Sequence, residues 1–114
     1  MENTIYEISF ELILHAGNAR YSYLSAIKAA KDNKFDQIEK FFKEGDEEFN
    51  LAHNCQTKLI AKESNGTPVE LNILLVHAQD HLTMATICKD QATNFIELYK
   101  TTSSLKAQID SLIR

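Results

Sequence analysis

Ser64-Asn65-Gly66-Thr67-Pro68 is the clearest loop signal in this chain, and the scarcity of others constrains the fold more than any other feature. Only three glycines and one proline occur in 114 residues. So few turn formers leave room for few connections, which favours long helices over a many-stranded β fold. Between the breaks, apolar residues recur at three- and four-residue steps, the spacing that gathers them on one side of a helix. The first such segment runs from about Thr4 to Lys31, carried by Ile5, Ile8, Leu12, Ala16, Ala19, Tyr23, Ala26, Ile27 and Ala30. Gly17 interrupts it at a cost of up to roughly 1 kcal/mol relative to Ala, so a kink or a close helix contact is expected there. Asp32-Asn33-Lys34 is a short polar break suited to a tight antiparallel return.

The second segment runs from about Phe35 to Glu63, with Ile38, Phe41, Phe42, Phe49, Ala52, Gln56, Leu59 and Ile60 marking its buried side and Gly45 weakening its middle. The third begins near Val69 to Asn72 and reaches at least Tyr99. It carries two apolar stripes. Leu71, Leu74, Leu75, Ala78, Leu82 and Ala85 form one; Ile73, His77, Asp80, Met84, Ile87 and Cys88 flank it. A helix covered on two sides needs more partners than two sister helices supply, so an oligomer is the economical expectation. Past about residue 100, Leu105, Ile109, Leu112 and Ile113 either continue the helix or form a separate docked tail. Residues 1–114 read as a single all-α domain, with no internal repeat.

A formal net charge of −4 and the lack of a basic stripe argue against a nucleic-acid partner. The longest apolar runs, Leu12 to Leu14 and Ile73 to Val76, are far too short to span a bilayer, and Met1-Glu2-Asn3-Thr4 shows no signal-peptide pattern. Cys55 and Cys88 stand in no C-x-x-C pair and read as buried, reduced thiols. A cytoplasmic location follows as the expectation.

His77-Ala78-Gln79-Asp80-His81 carries the chemistry. Residues three and four apart are neighbours on a helix surface, so His77, Asp80 and His81 share one side of the third segment. A lone histidine on an apolar face is usually a satisfied core or interface residue. Here an imidazole, a carboxylate and a second imidazole stand together among Val76, Ala78, Leu82 and Met84, and burying Asp80 without a partner would be costly. Zinc-protease chemistry needs Glu directly after the first histidine, where Ala78 stands. Phosphoryl transfer fits better, because a neutral imidazole is both a good nucleophile towards phosphorus and a good leaving group. His81, and Gln79 if geometry permits, are candidate donors to the phosphoryl oxygens. No glycine-rich phosphate loop is present, so the expected phosphoryl donor is a protein. Two rivals stand beside this reading: a histidine phosphotransfer domain of a two-component relay, and a non-catalytic metal-binding helical trimer. The first typically shows H-x-x-K-G, and Asp80-His81 occupy the places of its Lys and Gly.

The chain resembles the lactose/cellobiose (diacetylchitobiose) class of enzyme IIA proteins, components of the bacterial phosphoenolpyruvate-dependent sugar phosphotransferase system. The likeness rests on Ala16-Gly17-Asn18-Ala19-Arg20, on Ala52-His53 with Gln56-Thr57, on His77-x-Gln79-Asp80-His81-Leu82, and on Glu97-Leu98-Tyr99-Lys100. The resemblance implies a three-helix up-down-up bundle assembling as a parallel homotrimer. It implies that His77 is phosphorylated by HPr at the nitrogen remote from the backbone and passes the group to a cysteine of enzyme IIB, for uptake of a β-linked disaccharide. Asp80 would sit at the trimer axis, three copies sharing a divalent cation, magnesium; the alternative is a carboxyl that is protonated or capped by a neighbouring hydrogen bond. Read from their positions, His53 and Gln56 either line the groove between subunits or fill the interface, Arg20 makes a structural ion pair, His15 is a partly exposed helix residue, and the acidic run Glu44, Asp46, Glu47 and Glu48 is a solvated face. Ala78 stands where Gly is common in the family, and Thr83 where Met often follows.

Overall fold

The computed structural model describes residues 4–114. Three long helices account for most of them: α1, Ile5–Lys31; α2, Ile38–Ser64; and α3, Ile73–Ile113. A 3-10 turn over Phe35–Gln37 leads into α2, and the described residues include no strand.

Local chemistry sets the ends. Thr4 caps α1, its hydroxyl accepting the Glu7 backbone N–H at 3.1 Å. Both α1 and α2 finish on a left-handed residue with paired closing hydrogen bonds. Asn33 (φ 60°) ends α1, with Lys34 N–H donating to Ala29 O at 2.8 Å and Asn33 N–H to Ala30 O at 3.2 Å. Gly66 (φ 88°) ends α2 in the same way, with Thr67 N–H on Lys62 O and Gly66 N–H on Glu63 O. Pro68 follows, where the helix has already stopped. The two breaks read from the sequence are therefore the two turns.

α1 is the central helix, packed along its length against both α2 and α3. Cross-links fix the directions: Tyr23 meets Asp46 and Cys55 approaches Glu11, so α2 runs against α1. Gln56 meets Gln79 and Lys89 meets Asp46, so α3 runs against α2. The core is rich in alanine, with Ala16, Ala19, Ala26, Ala52, Ala78, Ala85 and Ala92 almost fully buried. Small residues at the contacts let the helix axes approach closely. Gly45 serves the same end, because a Cβ there would lie 2.7 Å from the buried ring of Tyr23. The Tyr23 hydroxyl donates to Asp46 at 2.6 Å, and Lys89 of α3 pairs with Asp46 at 3.1 Å while its ammonium lies 5.4 Å from the Phe49 ring centroid. One tyrosine, one carboxylate and one lysine thus tie the three helices together.

Several expectations need adjustment. Helix α1 continues through Gly17, and a Cβ there would meet nothing within 4 Å, so the close contact expected at Gly17 is not made among the described residues. Ile60 and Leu71, read as core positions, are 56% and 81% exposed. Leu71 precedes Asn72, the N-cap of α3, and so stands off the helical stripe. The segment past residue 100 continues α3 without a break. At about 1.5 Å per residue, α3 is about 60 Å long and α1 and α2 about 40 Å each. The chain accordingly measures 69 × 21 × 20 Å.

Two helices keep an apolar face with no partner among the described residues. On α1 it comprises Tyr6, Phe10, Leu14, Tyr21 and Leu24, with Gly17 in its middle. On α3 it runs from Ile73 through Ile87 and Leu98 to Leu112.

Candidate functional site

The site is built on the first turns of α3. Asn72 starts the helix, its side-chain carbonyl accepting the Leu75 N–H at 2.8 Å. Leu75, Ala78 and Leu82 are buried against the rest of the bundle. Those three positions fix the rotation of the helix and turn His77 outward, where it is exposed. His81, one turn on, is half-buried. The two rings meet nearly at right angles, with centroids 4.5 Å apart and planes at 85°. Their Nε2 atoms are 3.0 Å apart. When both rings are neutral, one of these nitrogens carries the hydrogen and the other offers its lone pair.

Asp80 lies on the same outer side of α3 and is exposed, with no hydrogen-bond or ion-pair partner among the described residues. The cost expected for a buried, unpartnered carboxylate therefore does not arise within one chain. No group of three or more His, Cys, Asp or Glu side chains suited to a metal occurs among the described residues. Asp80 supplies one carboxylate per chain, which by itself is too few oxygen donors to hold magnesium.

Gln79 follows His77 by two positions, about 160° around the helix. It faces α2, where its side-chain oxygen accepts the Gln56 amide at 2.7 Å. His53 is exposed on α2, and its ring stacks on Phe49 with centroids 6.5 Å apart. Gln56, Gln79 and His53 thus belong to the α2–α3 side of the bundle, and the fold does not bring them to His77 of the same chain. At the end of that groove, Leu59, Val69, Leu75 and Val76 line a small apolar cleft of about 150 Å³.

Elsewhere several polar residues have structural partners. His15 Nδ1 lies 2.6 Å from Glu48, which Asn18 also approaches at 3.4 Å. With Asp46 bound by Tyr23 and Lys89, two members of the acidic run hold the bundle rather than merely facing solvent. Nothing in the local spacing announces these pairs, since His15–Glu48 spans 33 positions. Arg20 has no ion-pair partner among the described residues, contrary to expectation; its carbonyl instead takes a long Cys88 thiol contact at 4.0 Å. Cys55 and Cys88 are free and buried, and burial pushes both thiols up from their ordinary range, the Glu11 carboxylate adding to the effect at Cys55. They are poor nucleophiles where they stand.

Comparison with known proteins places this arrangement. The sequence profile of the lactose/cellobiose-specific IIA subunit of the PTS system matches residues 7–100. The chain is 43% identical over 100 residues to the lichenan-specific phosphotransferase enzyme IIA component of Bacillus subtilis, covering 88% of this chain and 91% of the relative. It is 41% identical over 93 residues to the PTS lactose-specific EIIA component of Staphylococcus epidermidis, covering 82% and 89%. Among solved structures, the PTS cellobiose-specific enzyme IIA from Bacillus anthracis superposes with a TM-score of 0.86 at 40% identity, over 91% of this chain and 95% of that one. A chain from the IIA(chitobiose)–HPr complex of the Escherichia coli phosphotransferase system superposes at 0.77 with 29% identity, over 90% and 99%.

Proposed function

Given that the chain belongs to the lactose/cellobiose-specific IIA family of the phosphotransferase system, a family of phosphocarriers, we propose that His77 is its phosphorylated residue. The observation that carries the reading is the His77–His81 pair, one ring exposed and its Nε2 held 3.0 Å from the other. With His81 as the hydrogen donor, His77 carries its own hydrogen on Nδ1 and its Nε2 lone pair is the nucleophile. The phosphoryl group arrives from a phosphohistidine of HPr, a partner seen with the chitobiose relative. The P–N bond of the donor breaks as the P–N bond at His77 Nε2 forms, and the donor ring regains its lone pair. For that bond to form, the His81 N–H leaves the His77 lone pair and turns to a phosphoryl oxygen, so the same donor serves both states. In the next step a cysteine thiolate of enzyme IIB takes the group, forming P–S as His77 leaves as neutral imidazole.

Exposed Val76, next to His77 in sequence, gives the transient partners an apolar contact beside the histidine. The sugar, in this reading a β-linked disaccharide, is handled by the membrane component, and no residue here is assigned to it. Among the described residues no helix is long and apolar enough to cross a membrane, which is consistent with a cytoplasmic carrier.

The active form in this reading is a parallel homotrimer. A cyclic assembly uses two different patches on each chain, and the outer faces of α1 and α3 supply two. Such packing also gives His53, Gln56 and Gln79 a role, as the groove wall that one chain presents to its neighbour's His77. Gln79 could reach a phosphoryl group on its own His77 only by releasing Gln56 and crossing the helix. Asp80, exposed on α3, suits a position at the three-fold axis. Three carboxylates there would repel one another, and magnesium, which favours oxygen ligands, would supply the charge to neutralise them.

The test is a relay assay with phosphoenolpyruvate, enzyme I and HPr, read by intact mass. One acid-labile phosphate per chain is expected on wild type and none on His77→Ala, with helicity unchanged. Absence of uptake by wild type beside charged HPr would remove the reading. Uptake by the variant would move the nucleophile elsewhere.

A further inference from the structure

We infer that Gln56 is a positioning residue for the phosphoryl transfer. Its side-chain N–H holds the oxygen of Gln79 and so turns the Gln79 amide N–H outward, towards the group carried on a neighbouring chain's His77. The inference rests on the proposed phosphocarrier and trimer, in which the α2–α3 side of one chain is the groove wall facing its neighbour.

Three observations carry it. First, the contact is short and directed: Gln56 donates to Gln79 Oε1 at 2.7 Å. A side-chain amide has one accepting end and one donating end, so a partner that claims the oxygen leaves the NH2 for another group. Second, that NH2 has no hydrogen-bond partner among the described residues, although the Gln79 side chain is half-buried. Third, both backbones are held. Gln56 stands at the rim of the buried stripe Ala52, Cys55 and Leu59 of α2, and Gln79 at the rim of Leu75, Ala78 and Leu82 of α3. The two side chains are therefore set against each other by the packing of both helices, and what is left free is the turn of the terminal amide, a soft torsion.

The donor left open selects the ligand. Phosphoryl oxygens only accept hydrogen bonds, so an outward N–H attracts the group and an outward carbonyl repels it. The bond from Gln56 also polarises the Gln79 amide and strengthens its remaining donors. The rival reading is a purely structural tie, since α2 and α3 touch one another far less than either touches α1.

Gln56→Glu separates the two. The carboxylate only accepts, so the tie to Gln79 survives with Gln79 as the donor and its oxygen turned outward. Uptake from phosphorylated HPr is timed by intact mass at saturating donor, in variants that match wild type in helicity and sedimentation. Gln79→Ala removes the donor and should slow uptake ~10-fold or more. Gln56→Glu should slow it as much. In a Gln79→Ala background the same change should add less than ~3-fold, the effect of the carboxylate charge alone. Gln56→Met keeps the side-chain length and leaves the Gln79 amide free to turn, so its rate should fall between wild type and Gln56→Glu. Gln56→Glu or Gln79→Ala as fast as wild type would overturn the positioning role and leave a structural tie. Equal slowing by Gln56→Glu with and without Gln79 would also overturn it. In either case the phosphocarrier reading stands, because wild type still takes up phosphate. Wild type that takes up none, or that sediments as a monomer, would overturn the carrier or the groove and this inference with it.

Discussion

At the scale of single residues, the two histidines are separated by exposure. His77 is exposed and open to a partner; His81 is half-buried and held against it at 3.0 Å. Their roles predict different losses. His77→Ala removes the only nucleophile assigned, whereas His81→Ala removes one hydrogen-bond donor to the transferring group. Losing such a donor costs on the order of 10²-fold in rate, so His81→Ala should still take up one phosphate per chain, more slowly in a time-resolved mass assay. Complete loss of uptake in a folded His81→Ala protein would contradict that division. The buried acids make a second prediction. Burial foremost, with the hydrogen bond to Asp46 next, raises the Tyr23 phenol well above its usual 10.0, and burial raises the thiols of Cys55 and Cys88 above 9.0. In the unfolded chain these groups lose protons at their ordinary values while the fold retains them. The native state then binds more protons than the unfolded one, and stability falls as pH rises. The thermal midpoint should therefore decline from about pH 9 upward. Tyr23→Phe should be less stable at neutral pH but lose less on going to pH 11, and a parallel loss would sink the assignment to Tyr23.

At the scale of elements, two glycines interrupt helices for opposite reasons. Gly45 is required inside the chain, since a Cβ there would press into the Tyr23 ring at 2.7 Å. Overpacking of that kind costs about 1–3 kcal/mol, against a gain of up to roughly 1 kcal/mol from helix propensity. Gly45→Ala should therefore lower stability by about 1 kcal/mol, measured by urea unfolding. Gly17 has open space around it and sits in the unpartnered apolar face of α1. Gly17→Leu should leave the secondary structure of the chain intact and weaken the proposed trimer in sedimentation. If both properties stayed at wild-type levels, the outer face of α1 would not be an interface. The sequence showed both glycines and the periodicity around them. It did not show which face Gly17 occupied, because α1 carries apolar residues on two sides.

At the scale of the whole molecule, the proposed trimer would couple assembly and charge through Asp80. Within one chain the carboxylate is exposed and without a partner among the described residues. Three copies around an axis would need a cation. Chelation should then loosen the wild-type trimer, while Asp80→Leu, lacking the repulsion, should stay assembled in chelator. Equal sensitivity of the two proteins, by sedimentation with and without magnesium, would end the metal role.

The sequence by itself determined the class of fold, the two turns and the chemistry-bearing helix. Each is a local property: left-handed Asn33 and Gly66 stop helices wherever the chain goes, and the spacing of His77 and His81 makes them neighbours on any α-helix. Only the tertiary structure decided that Gln79 faces α2, that Gln56 binds it, that Glu48 holds His15 and that Asp46 joins three helices. These depend on how each helix is rotated about its axis and set against its neighbours. Side-chain packing of the whole bundle fixes that rotation, and no short window of sequence contains it.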